Sequence, residues 1–164
     1  MRPGACEAHP HAAGVEAGDA GPKALACYGL LRADDGGMMV RFVDGRPVSQ
    51  VTEDYLSWVC ERLTEGGKRA LLLVWDNASW HISKRVRSWI QGHNRRAKAE
   101  GGVRIVSCPL PVKAPWLNRI EPKWVHGKRA IIEPGRKLTA VEVVERVCGY
   151  YGCEQLDRLS QQVA

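Results

Sequence analysis

Two segments, ALLLVWDNASWH at 70–81 and PLPVKAPWLNRIEPKW at 109–124, decide how this chain is expected to fold. The first opens with six apolar residues that stop at Asp76, which is typical of a buried strand covered on both faces. The second is a proline-rich loop that enters a helix carrying Glu121 near its start. A strand end and a helix start therefore each present a carboxylate. Two carboxylates in one place are what a divalent metal site needs.

The elements ahead of the quoted strand are expected to be a hairpin and a helix. Two apolar runs, 23–31 and 38–43, flank the turn signal Asp35–Gly36, and this arrangement is typical of a β-hairpin. Thr52 is the expected N-cap of the helix, because apolar residues recur at helical spacing behind it. Gly66–Gly67 is expected to end that helix.

A helix and a second short strand are expected behind the quoted strand. The helix runs from Ile82, with an apolar stripe on one side, and ends at Gly101–Gly102. A strand follows at 103–107. The proline-rich stretch 108–117 is expected to hold no regular structure. The next helix is expected at roughly 119–130.

The start of that last-named helix has two solutions. Asn118 and Glu121 have the spacing of a capping box. Pro122 would instead suit the first helical position, with Glu121 as the cap. Thr139 and Glu142 form a second capping box, which predicts one more helix near the end of the chain.

Length and composition agree with one globular domain. The chain has 164 residues, of which 45% are hydrophobic, and that is enough to bury a core. The element order predicts an α/β domain at 23–164, with a mixed sheet between helices, behind a loose segment at 1–22. The six cysteines are scattered and are expected to be reduced thiols of a cytoplasmic protein. No apolar run approaches the ~18 residues of a membrane span.

The chain is basic, with a net charge of +6 and a pI of about 9.1. This charge suits a polyanionic partner, most commonly nucleic acid, but a basic protein without such a partner is equally compatible. The side chains expected to attract phosphates are Lys84, Arg85, Arg95, Arg96, Lys98, Arg119, Lys123, Lys128 and Arg129. The alternative for these residues is a solvated helix face. The six tryptophans are expected to be core and loop anchors rather than platforms on which bases stack.

Asp76 is expected at the carboxyl end of its strand, where ligand sites of open α/β sheets gather. It is either a turn residue that caps the next helix or a ligand of Mg²⁺, which prefers carboxylate oxygens. His81, five residues later, has three possible roles. It could support the metal ligand, contact phosphate, or simply begin a helix.

Glu121 has two interpretations as well. Most helical Glu residues are solvated, and this one could be among them. Its apolar neighbours Trp116, Leu117, Ile120 and Trp124 would instead anchor the segment and hold the carboxylate in place.

Three motifs together resemble a known family: WDNASWH at 75–81, LPVKAPWLNRIEPKW at 110–124 and HGKR at 126–129. They are similar to DDE transposases of bacterial insertion sequences, in the branch related to mariner elements. In that branch an Asn follows the second catalytic Asp, a His comes a few residues later, and the third acidic residue lies in a motif similar to SPxLNPIE. By position, Asp76 resembles the second acidic residue and Glu121 the third.

The resemblance covers roughly 23–153, and Asn77, His81 and Asn118 correspond to the neighbours in its motifs. It implies an RNase H-like fold and a site for Mg²⁺ or Mn²⁺. It also implies DNA cleavage at transposon ends, followed by joining of the freed 3′-hydroxyl to target DNA. Transposases of this type work as dimers or larger assemblies, so the resemblance implies a homodimer too.

The chain departs from the family in places that matter for chemistry. Ala114 and Arg119 stand where the family has Ser and Pro. The family's first catalytic Asp lies on a first strand upstream of the hairpin, and no Asp of this chain occupies such a strand. Those outside the quoted motif that come nearest are Asp19, Asp34, Asp35 and Asp44. The domain is therefore expected to be truncated, without its first strand and without the family's helix-turn-helix region.

Two functions follow as expectations. The first is a catalytic-domain fragment of a DNA transposase, an endonuclease and strand transferase that is inactive until the missing N-terminal half is supplied. The alternative is a non-catalytic DNA-binding remnant of a transposase. Either protein would have DNA as its partner, without a membrane, and would be cytoplasmic and associated with the nucleoid.

Overall fold

The computed structural model describes residues 25–160 of the chain. These residues form two compact units: the Asp76 unit, residues 47–118, and the Glu121 unit, residues 25–46 with 119–160. The predicted loose segment 1–22 lies outside the described residues. The predicted boundaries of a single domain stay a prediction.

The described residues contain five strands, four α-helices and one 3₁₀ helix. They are β1 Leu25–Leu31, β2 Met38–Asp44, α1 Ser49–Glu65, β3 Ala70–Trp75, α2 Lys84–Glu100, β4 Arg104–Pro109, a 3₁₀ helix Pro115–Leu117, α3 Glu121–Ile131, α4 Ala140–Tyr151 and β5 Leu159–Ser160. This mixed α/β architecture is consistent with an RNase H-like fold and confirms the predicted fold class. The predicted loss of a first strand stays a prediction. None of the described helices is both long and apolar enough to cross a bilayer.

The Glu121 unit is built on the predicted hairpin, which is confirmed. β1 and β2 pair antiparallel along their whole length, from Leu25 opposite Asp44 to Leu31 opposite Met38. The turn between them uses Gly36 at a φ of 72°, a left-handed conformation that favours glycine. β2 also pairs parallel with the short β5, so the three-stranded sheet is mixed. α4 packs against β2, and α3 packs against α4.

The Asp76 unit contains a parallel strand pair joined by a helix. β3 pairs with β4, and Trp75 at the end of β3 lies opposite Pro109. The connecting helix α2 packs on both α1 and β4. Asn94 on α2 fastens this packing, because its amide exchanges two hydrogen bonds with the backbone of Ile105 at 2.8 and 2.7 Å. The carboxyl ends of the two strands therefore lie side by side.

The start of α1 differs from the prediction, which placed its N-cap at Thr52. The helix begins at Ser49, after the extended residue Val48. Thr52 lies inside the first turn, where its hydroxyl donates to the Val48 carbonyl at 3.2 Å. The earlier start places Val51 in the helix, where it is fully buried. Core packing has therefore overridden the local capping preference.

The prediction that β3 is covered on both faces is wrong. Leu71, Leu73 and Trp75 are buried, whereas Leu72 is 65% exposed and Val74 48% exposed. Side chains along a strand alternate between its two faces. A continuous apolar run allows two covered faces but does not require them, and here only one face is covered.

The stretch 108–117 was expected to be irregular, and this is only partly correct. β4 continues through Cys108 to Pro109. A proline is tolerated there because it is the last residue of the strand and its missing N–H costs no ladder hydrogen bond. The 3₁₀ helix Pro115–Leu117 adds a second piece of regular structure.

The other helix ends are close to the predicted positions. α3 begins at Glu121 with Ile120 as its N-cap and no capping side chain, so neither predicted cap is used. α2 begins at Lys84, two residues later than expected, behind Ser83 as the N-cap. The glycines expected to end α1 and α2 do follow those helices. The capping box of Thr139 and Glu142 is confirmed, with both of its hydrogen bonds present.

Candidate functional site

Asp76 follows directly on β3 and is only 2% exposed. Its Oδ1 accepts a hydrogen bond from the backbone N–H of Ala78 at 2.9 Å. The same oxygen lies 2.8 Å from Nδ1 of His81. Because a carboxylate oxygen only accepts, Nδ1 of the imidazole carries the hydrogen. Two donors within five residues of Asp76 therefore fix the orientation of its carboxylate.

His81 is itself held by aromatic packing. Its ring stacks on the Trp75 indole, with 4.9 Å between centroids and 14° between planes, and meets the edge of Trp80 at 6.0 Å. The indole N–H of Trp75 donates to the Ser107 hydroxyl on β4 at 2.9 Å. The sequence reasoning missed this role of Trp75 and Ser107. Their positions lie on different strands, so no local spacing could have indicated it.

The second oxygen of Asp76 distinguishes the two interpretations of this residue. The bond to Ala78 is a turn interaction, which the capping interpretation predicts. Among residues 25–160, however, Oδ2 is buried without a hydrogen-bond partner. A buried polar atom without a partner is costly, and in native structures it is often explained by a bound ion or water. The turn interaction uses one oxygen and leaves the other for a ligand.

The unpartnered Oδ2 atom of Asp76 is a possible ligand for a cation. Within the described part of the chain, no group of three or more His, Cys, Asp or Glu side chains is placed to hold a metal ion. Mg²⁺ does not require such a cage, because it is usually held by one or two carboxylates together with water and substrate phosphates. The Oδ2 atom of Asp76 therefore fits one position in a magnesium site.

Asn77 and Asn118, the other motif residues of the Asp76 unit, have different surroundings. Asn77 is exposed, and its side-chain amide donates to the Leu110 carbonyl at 2.7 Å. The Leu110 N–H in turn donates to the Trp75 carbonyl at 2.7 Å. Asn77 thus ties the loop after β4 to the end of β3. Asn118 is buried, at 5% exposure.

Glu121 is the first residue of α3, in the Glu121 unit, and its side chain is half-buried. Its helix is located by Trp124, which meets Tyr151 of α4 edge to face at 5.6 Å. The Tyr151 hydroxyl donates to the Lys123 carbonyl at 2.7 Å. Trp124 also covers Gly29 of β1 so closely that an added Cβ there would overlap the indole ring. Packing with α4 and β1 therefore holds the helix that carries Glu121.

Only half of the predicted anchors of Glu121 are confirmed. Ile120 and Trp124 are buried, at 3% and 8% exposure. Trp116 and Leu117 are not anchors, because they are 76% and 48% exposed. The physical reason is the 3₁₀ helix that contains them, which leaves both side chains on the surface.

All the predicted phosphate-contacting side chains are exposed: Lys84, Arg85, Arg95, Arg96, Lys98, Arg119, Lys123, Lys128 and Arg129. Arg85 differs from the rest. Its guanidinium binds both oxygens of Glu53, at 2.7 and 3.0 Å, so that its charge is offset inside the unit. Its contribution to phosphate attraction is accordingly smaller than that of Lys84 beside it.

Comparison with known protein families gives a match over most of the chain. Residues 23–144, which include Asp76 and Glu121, match the family model described as DDE superfamily endonuclease. No curated protein matches the chain.

Proposed function

This chain belongs to the DDE superfamily endonucleases, and on that premise we propose that it is the catalytic-domain portion of a DNA transposase. The family implies DNA as the substrate. The transposase would belong to a bacterial insertion sequence of the mariner-related branch. It would hydrolyse a phosphodiester at the transposon end and then join the freed 3′-hydroxyl to target DNA.

The observation that supports this proposal best is the carboxylate of Asp76. His81 and the Ala78 amide hold Oδ1, while Oδ2 is buried without a partner among the described residues. Asp76 would hold Mg²⁺ or Mn²⁺ through Oδ2. The bound ion would supply the positive charge that stabilises a phosphate during transfer.

The residues around Asp76 would keep it ready for this role. His81 fixes the carboxylate, and the Trp75 indole keeps the imidazole in place. Such support of a metal ligand by its neighbours is common in metal sites. Glu121 stays a predicted second ligand, and Asn118 a predicted neighbour in its motif.

Turnover would further require a third carboxylate, which the N-terminal part of the family's catalytic domain would supply, in an assembly of two copies on DNA. We therefore expect the chain alone to bind metal and DNA without completing strand transfer. The exposed basic side chains of α2 and α3 also favour the alternative, a DNA-binding remnant without catalysis. The two functions differ in whether Asp76 binds a metal ion.

Mn²⁺ binding to the full chain, followed by electron paramagnetic resonance, tests the role of Asp76. Asp76→Asn keeps the size and the acceptor oxygen but removes the charge, and should weaken Mn²⁺ binding by roughly tenfold or more. Asp157→Asn, which changes an exposed carboxylate, is the matched control and should leave binding unchanged. Equal binding by Asp76→Asn and the unmodified chain would contradict the proposal. Salt-dependent DNA binding without any Mn²⁺ binding would favour the remnant.

A further inference from the structure

The loop after β4, residues 110–117, carries an exposed apolar group that no part of the proposed chemistry uses. Val112 is 78% exposed, Trp116 76% and Leu117 48%. Single exposed apolar residues are ordinary, but three within six residues form a patch of the kind that marks an interaction site. Tryptophan is also the side chain most often responsible for binding energy at interfaces.

This loop is held in position at its start and along its length. Its first residue, Leu110, exchanges backbone and side-chain hydrogen bonds with Trp75 and Asn77 at the end of β3. Its middle residue, Ala114, is buried and joins two consecutive turns, one from Pro111 and one to Leu117. A side chain on a loop fixed in this way loses little conformational entropy when it binds a partner.

The hydrogen bonds also limit how far the indole lies from Asp76. Each of the two turns keeps its ends within about 7 Å, so Trp116 stays within roughly 20 Å of the end of β3. Phosphates along one strand of DNA are spaced ~3.4 Å apart. A base that contacts Trp116 would therefore lie within about six nucleotides of a phosphate at Asp76.

Charge selects the kind of partner. The segment 109–120 contains no acidic residue, and it carries Lys113 within the loop and Arg119 behind it. A second copy of this basic chain, with its net charge of +6, would meet this surface with repulsion. A polyanion whose bases offer flat apolar faces matches both the lysine and the indole.

We propose that Trp116 is a stacking platform for an unpaired base of the DNA substrate, within about six nucleotides of the phosphate that is cleaved. This inference rests on the proposed function and adds to it a residue that positions the DNA. It also reverses the expectation that the tryptophans serve only as anchors. An indole accepts an unstacked base in preference to a paired one, so the loop would favour a frayed or single-stranded site over intact duplex.

Fluorescence anisotropy with labelled DNA tests this inference, using the full chain and a duplex with and without a short unpaired segment. Trp116→Ala should weaken binding to the unpaired segment by roughly 5- to 150-fold, the change that corresponds to ~1–3 kcal/mol for one stacked base. Trp116→Phe should recover most of the affinity, because it restores an aromatic face. Val141→Ser is the control, because it changes an exposed apolar residue on α4, outside the loop, and it should bind like the unmodified chain.

The outcomes separate this inference from the proposed function. If the unmodified chain binds no DNA, the proposed function fails and the stacking role fails with it. If the chain binds DNA and Trp116→Ala binds the unpaired segment equally well, only the stacking role is overturned. Sedimentation of both proteins covers the remaining case. A dimer that becomes monomeric in Trp116→Ala at unchanged DNA affinity would assign the patch to a second copy and overturn the proposal.

Discussion

Asp76 and Glu121 are held in place by different means. The carboxylate of Asp76 is buried, and its donors, Ala78 and His81, lie within the next five residues. Glu121 is half-buried at the first position of α3, and its helix is located by Trp124 against α4 and β1. Asp76 is held by polar groups that are close to it in sequence. The helix of Glu121 is held by packing against residues that are far from it in sequence.

This difference determines what a substitution can reveal in each unit. Near Asp76, the residue that holds the carboxylate is also a candidate for supporting a metal ligand, so stability and function are coupled. Near Glu121, the anchor is a different side chain, Trp124, which packs on α4 and β1, so the anchor and the acid can be changed separately. The stability of the two units should therefore respond differently to removal of an anchor and removal of the acid itself.

Trp124→Ala should have the largest effect. Removing a buried tryptophan leaves a cavity and costs about 3–5 kcal/mol in the free energy of unfolding. Urea unfolding followed by far-UV circular dichroism measures the change without relying on tryptophan fluorescence. A loss below about 1 kcal/mol would show that Trp124 does not locate α3.

Gly29 provides a matched test of the same contact. Gly29→Ala should destabilise the unmodified chain, because the new Cβ overlaps the Trp124 ring. In the Trp124→Ala background the overlap disappears, so the penalty of Gly29→Ala should fall towards zero. Equal penalties in both backgrounds would refute the contact.

His81→Ala should have the next largest effect, about 3 kcal/mol, because it leaves the buried Asp76 carboxylate without its side-chain donor. His81→Asn keeps a donor and should recover part of the loss. Glu121→Ala is the comparison, and should cost less than about 1 kcal/mol because its side chain is half-exposed. Thermal unfolding of the three variants in the absence of metal measures these losses. Equal losses for His81→Ala and Glu121→Ala would show that the Asp76 carboxylate depends on its donor no more than the protein depends on the Glu121 side chain.

Alkaline pH should affect the Glu121 unit more than the Asp76 unit. Burial raises the pKa of Cys27 in the Glu121 unit and of Cys60 in the Asp76 unit from an ordinary 9.0 to about 12. Burial also raises the pKa of Cys148, Cys153 and Tyr151, all in the Glu121 unit. Because the unfolded chain loses these protons first, stability is full below about pH 9 and falls above it, by up to ~1.4 kcal/mol per pH unit for the fully buried thiol of Cys27.

The stability of the unmodified chain in urea at pH 8 and pH 10 measures this loss. Cys27→Ala and Cys60→Ala should each make the pH dependence shallower by a similar amount. Most of the pH dependence of stability should remain in Cys60→Ala. The other groups with a raised pKa, which are Cys27, Cys148, Cys153 and Tyr151, all belong to the Glu121 unit. An unchanged pH dependence in Cys27→Ala would contradict the assignment.

The sequence was sufficient for elements that depend on local signals. The hairpin, the glycine ends of α1 and α2 and the capping box at Thr139 are all confirmed, because turn and cap residues act within a few positions. It was not sufficient for features that depend on distant partners. The exposed face of β3 and the exposed Trp116 depend on what packs against them, and β5 is too short to carry a periodic pattern.

The candidate site also combines features set by local signals with features set by distant partners. The contact between Asp76 and His81 was one of the alternatives that the sequence left open, because both residues lie within the same six positions. The support from Trp75 and Ser107 could not, because it joins two strands that are adjacent only in the fold. The anchoring of α3 was half predicted. Trp124 and Ile120 follow the apolar pattern, whereas Trp116 and Leu117 lie in a 3₁₀ helix that exposes their side chains.

The smallest expected effects come from two helix N-caps. They test whether a capping hydrogen bond contributes equally to the free energy of unfolding in both units. Ser83 caps α2 in the Asp76 unit by accepting from the Val86 N–H at 3.1 Å, and Thr139 caps α4 in the Glu121 unit. Ser83→Ala and Thr139→Ala should each cost about 1 kcal/mol in urea unfolding. Ser83 also shares a hydrogen bond with the Ser49 hydroxyl at 2.9 Å, so its loss should be slightly larger. A much larger cost for Thr139→Ala would mean that α4, through Tyr151, depends on its cap to hold the helix of Glu121, and that a local polar device contributes in that unit as well.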